Sequence, residues 1–138
     1  MEKPVTPQTV RDLNEVRDAF LSLHTLLLAL ERGAYEAEFG EKSSGEMLKL
    51  VLDHERFAWL RRISELIIRI DVLLDEEEPL TVGSARSVLE YSVELITPAE
   101  QPTPFQERYL LAMQNEPDVI FAHRGTQQLL TRARANLK

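Results

Sequence analysis

Helix start and stop signals divide this chain more sharply than any other feature. Val5-Thr6-Pro7 supplies an apolar residue, an N-cap hydroxyl and a proline at the first helical position, where a missing N–H does no harm. Apolar positions then step by three and four through Val10, Leu13, Val16, Phe20, Leu23, Leu27 and Leu30, and Gly40 suits the residue after a helix end. Ser43-Ser44-Gly45-Glu46 reads as a capping box, after which a second helix is expected to run unbroken to about Glu78, where Pro79 stops it. Thr81 can cap a third helix carrying Val82, Ala85, Val88, Leu89, Val93 and Ile96. Thr103-Pro104-Phe105-Gln106 opens a fourth. Glu116-Pro117 then pushes the residue before the proline out of the α region. No run alternates apolar and polar residues between hairpin turn signals. The expectation is an all-α, up-down four-helix bundle whose last helix is broken or kinked near Pro117, with residues 1–138 forming a single domain.

Helix lengths point to a surface. Two helices of about 33–35 residues span ~50 Å, whereas a third of about 15 spans only ~22 Å. The third helix therefore covers the C-terminal half of the second and leaves its N-terminal half to the proline-rich loop and the last helix. That half holds Phe57, Trp59 and Leu60. Two residues apart on one α-helix, Phe57 and Trp59 lie about 200° from each other and cannot share one core stripe. Trp59 is expected to be chiefly core, and Phe57 is the residue expected at an exposed contact. Phe57, Trp59 and Leu60 are the interface candidates, and a homodimer or a protein partner is the expected remedy for an uncovered apolar patch.

Composition removes several classes of function. Absence of cysteine excludes disulfides, thiolate metal sites and a cysteine nucleophile. The net charge of −7 opposes nucleic acid, although after Glu116 four basic residues (Arg124, Arg132, Arg134, Lys138) face one acid, Asp118. Those basic residues suit a helix C-terminus, whose carbonyls carry partial negative charge. The most apolar run, residues 20–30, is interrupted by Ser22, His24 and Thr25 and is shorter than the ~20 residues of a membrane span. No secretory signal opens the chain, so a cytoplasmic protein with no membrane and no nucleic-acid partner is expected.

Catalytic and metal templates are weak. His24, His54 and His123 each lie on the flank of an apolar stripe, and if they converged they could form a three-histidine metal site with an open position. No Glu-x-x-His or His-x-x-x-His spacing supports this, so core or boundary histidines are expected, with no metal and no cofactor. The five glycines are too scattered for a phosphate loop. Ser64 is mid-helix with no base in local reach and reads as a small residue where helices approach. The acidic run 75–78 lacks the alternating oxygen ligands and central glycine of a calcium loop and reads as a solvated, fraying helix end.

FAWLRRISELIIRID (57–71), DEEEPLT (75–81), LITPAE (95–100) and FQERYLLAMQNEPDVIFAH (105–123) together resemble a group of small bacterial helical proteins sharing a FAWLRxxSxLI motif. That group carries no assigned activity. The resemblance implies a bacterial helical protein and transfers no functional residue. Two functions remain as expectations. One is a non-enzymatic bundle that self-associates or binds a protein partner. The other is a ligand- or metal-binding bundle with an internal pocket near His24, His54 and His123.

Overall fold

Every N-cap expected from the sequence closes its hydrogen bond. In a computed structural model that describes residues 3–75 and 79–137, the hydroxyl of Thr6 accepts from the Thr9 N–H, Ser43 from Glu46, Thr81 from Ser84 and Thr103 from Gln106. Ser43/Glu46 and Thr103/Gln106 are reciprocal boxes, since Glu46 and Gln106 in turn accept from the cap N–H groups. Gln106 also donates to the carbonyls of Glu94 and Thr97, tying one helix start to the preceding helix end. Ser43→Ala and Thr103→Ala are each expected to cost ~1 kcal/mol, read as a lowered midpoint in thermal unfolding.

The described residues form six α-helices: α1 (Pro7–Phe39), α2 (Ser44–Asp53), α3 (Arg61–Asp75), α4 (Val82–Ile96), α5 (Pro104–Asn115) and α6 (Pro117–Asn136). The protein is all-α, with a single isolated bridge, Pro4 to Thr81, as its only extended pairing among those residues. Glu116-Pro117 separates α5 from α6 outright, because Glu116 adopts the extended conformation (φ −129°, ψ 107°) that a following proline requires. The second helix departs from expectation. It is interrupted at His54, and a 3-10 helix, Glu55–Leu60, separates α2 from α3. Its expected end at Glu78, and the acidic residues Glu76, Glu77 and Glu78, lie outside the described residues.

Helix α1 is the spine. Leu13, Val16, Phe20, Leu23 and Leu27 are buried along it, and it packs on α3 along one side and α6 along another, while α4 touches both of those helices. Arg17–Asp71 (2.9 Å) and His24–Ser64 (2.9 Å) fix α1 and α3 antiparallel. At the other end of the α1–α6 contact, buried Asp12 accepts from Gln8 (2.8 Å) and Asn136 (2.9 Å). Arg132 of α6 reaches both Asp12 and Glu15, so part of the basic C-terminal segment is paired with the acidic start of α1. The N-terminal segment is held by the α3–α4 connection, through Val5 N–H to Leu80 C=O (2.9 Å) and Val82 N–H to Lys3 C=O (2.8 Å).

Candidate interaction site

The break between α2 and α3 is made by one histidine. His54 has extended dihedrals (φ −78°, ψ 135°), its N–H closes α2 on the Leu50 carbonyl (2.7 Å), and its ring Nδ1 accepts from the Arg56 N–H (3.0 Å) to start the 3-10 helix. The side chain thus does at this joint what Ser or Asp does at an ordinary N-cap. Arg56, the next side chain to turn inward, is held by Glu31 (3.0 Å) and Glu38 (2.7 Å) and lies over the Tyr35 ring. Gly40, at φ +89°, reverses the chain after α1, and the Glu36 carboxylate accepts from the Lys42 N–H to hold that turn.

This joint changes the fate of the residues expected at an exposed contact. Phe57 is 1% exposed and packs on Tyr35 (centroids 5.9 Å), and Leu60 is equally internal. The expectation of Phe57 at the surface is therefore corrected. A 3-10 helix turns about 120° per residue instead of 100°, and its axis leaves that of α2 at His54, so angles counted along one continuous α-helix do not apply. Trp59 takes a different wall. Its ring meets Phe105 of α5 (5.7 Å), which continues through Tyr109 to His123, while its indole N–H is buried without a partner among the described residues.

What the break exposes is α2 itself. Of its apolar residues Met47, Leu48, Leu50, Val51 and Leu52, only Met47 is buried; Leu48 and Leu52 are each 60% exposed. Leu48 and Leu52 are one turn apart on a single stripe, with Phe39 exposed at the adjoining end of α1. Helix α2 makes its main contacts with the 3-10 helix that follows it. On an unbroken helix Leu52 is expected in one buried apolar face with Trp59 and Ile63, and that expectation is corrected by its exposure, while Leu48 carried no weight in the sequence.

The three histidines go to three places. His24 bridges α1 to Ser64 of α3, His54 caps the joint, and His123 bonds the Tyr109 hydroxyl (2.8 Å) between α5 and α6. No group of three metal-ligating side chains converges among the described residues. Ser64 gains a base that local sequence could not show, since His24 is 40 positions away. The sequence expectation of a mid-helix position is corrected, since Ser64 is the fourth residue of α3, one turn after the 3-10 helix.

Burial holds His24 and His123 below the ordinary histidine range and pushes the Tyr109 phenol up. Each histidine therefore binds a proton more readily in the unfolded chain. The stability this provides is present above the unfolded value of 6.5 and is lost as pH falls through it toward the lower folded values. Melting temperature is expected to drop from about pH 7.5 to about pH 5.5, and less steeply in a His24→Gln/His123→Gln variant. Carboxylates act in a lower window. Glu36, lowered by the Lys42 N–H, and Glu46, lowered by Ser43, favour the fold above 4.5 and lose that effect below it.

No protein-family model, no curated protein and no solved structure matches the chain. No helix among the described residues is long and apolar enough to cross a membrane.

Proposed function

We propose that the protein is a non-enzymatic helical protein that self-associates through α2, the same half of the second helical column that the sequence singles out. The observation that carries this reading is the outward stripe of Leu48 and Leu52, each 60% exposed on a helix that buries only Met47. Gly45, Leu48, Val51 and Leu52 bear no charge, and Arg61 reaches the Leu52 carbonyl at the end of the stripe. The reading also treats the fold as an up-down bundle of four columns, α1, α2–α3, α4 and α5–α6. The antiparallel α1–α3 pairing and the contacts of α4 with α3 and α6 support it.

Light scattering at micromolar concentration is expected to give about twice the 15.8 kDa chain mass. Leu48→Glu/Leu52→Glu should give a monomer with unchanged helical circular dichroism, because neither side chain is in the core. Ile68 and Val72 form a second exposed apolar pair on α3 and provide the control. A monomeric wild type, or a chain made monomeric by Ile68→Glu/Val72→Glu and not by the α2 variant, would overturn the reading.

A further inference from the structure

We propose that the cleft between α2 and the C-terminal end of α1 binds a small carboxylate with a flat apolar body. The cleft has a volume of about 450 Å³ and is walled by Tyr35, Lys42, Glu46, Lys49, Leu50, Asp53 and His54. That volume suits a ligand of about a dozen heavy atoms.

The apolar part comes from the Tyr35 ring and Leu50. Tyr35 is only 8% exposed and is engaged through its ring by Phe39, His54, Phe57 and Arg56. Its hydroxyl has no hydrogen-bond partner among the described residues. The hydroxyl oxygen is not itself sealed from solvent, so a ligand oxygen entering the cleft would take the place of water there.

The remaining polar groups are mixed, with donors from Lys42, Lys49 and His54 and carboxylates from Glu46 and Asp53. His54 Nδ1 accepts from the Arg56 N–H, so the neutral ring carries its proton on Nε2, which is left as a donor on an exposed side chain. Lys42 and Lys49 line the same cleft and form no ion pair among the described residues. The nearby carboxylates are largely engaged: Glu36 accepts from Lys42 N–H and Arg32, and Glu46 from Ser43 N–H. A phenol, an imidazole N–H and two ammonium groups beside an aromatic wall match a carboxylate joined to a ring, with charge-assisted bonds giving orientation. Asp53 remains to receive an ammonium group if the ligand carries one. Leu48 and Leu52 do not line the cleft, so the proposal stands independently of self-association.

Calorimetric titration of the full chain with 3-phenylpropanoate, L-phenylalanine and 2-phenylethanol tests it. Both carboxylates are expected to saturate, with the alcohol weaker by on the order of tenfold. L-Phenylalanine exceeding 3-phenylpropanoate would assign Asp53 to an ammonium, and the reverse order would assign the site to simple acids. Lys49→Gln and Tyr35→Phe should each weaken carboxylate binding severalfold while leaving helical circular dichroism unchanged. Amide shifts on titration should centre on Tyr35, Lys49 and His54. Failure of both carboxylates to saturate, equal binding of the alcohol, indifference of both variants, or shifts centred elsewhere would each overturn the proposal.

Discussion

Phe57→Ala is expected to lower the unfolding free energy by about 3–5 kcal/mol, the usual cost of deleting a large buried aromatic ring and leaving part of its volume empty. Phe57 is 1% exposed, sits against Tyr35 at 5.9 Å and His54 at 6.5 Å, and comes from the 3-10 helix that joins α2 to α3. Few neighbours can collapse into the space, because Tyr35 is already fixed by Phe39 and Arg56. Urea unfolding followed by circular dichroism gives the number directly. The charged variant is the sharper contrast. Phe57→Glu places a carboxylate in the core and should unfold the chain, whereas Leu48→Glu/Leu52→Glu, nine and five residues earlier, should leave it folded. A folded, soluble Phe57→Glu protein would put the ring back on the surface and remove the correction argued from the joint.

Asp12→Ala is expected to cost about 2–3 kcal/mol, since hydrogen bonds to a charged group are worth more than neutral ones. Asp12 is 1% exposed and gathers Gln8 of its own helix with Asn136 and Arg132 of α6. This cluster joins residues 124 positions apart, so its loss should loosen the end of α6 before the rest of the fold. Hydrogen exchange is the telling measurement: protection should fall first in the last turns of α6 and the first turns of α1. Asp12→Asn keeps one acceptor and should cost less. Equal exchange across α6 in Asp12→Ala and wild type would mean that Ala133, Leu137 and the apolar α1–α6 contact hold that end without it.

Sequence alone determined the helical class, the four capped helix starts and an interruption of the last helix near Pro117, though not whether it bends or breaks, because each rests on chemistry within a few residues. Thr6-Pro7, the Ser43 and Thr103 boxes, Thr81 and Pro117 act on backbone groups three or four positions away, whatever the rest of the chain does. The joint at His54 escaped that reading. Histidine is a weak cap signal, Asp53-His54-Glu55 contains neither Gly nor Pro, and the apolar spacing runs through it without a fault. What decides it is tertiary: Arg56 drawn to Glu31 and Glu38, Phe57 to Tyr35, Trp59 to Phe105. Those partners lie 18 to 46 positions away in the chain, and together they outweigh the one or two helical hydrogen bonds lost at the break. The same distant contacts sent Phe57 inward, left Leu48 and Leu52 outside, parted the three histidines and opened the cleft beside Tyr35. Local rules set where helices begin, and burial against remote partners set which of their faces remain for anything else to bind.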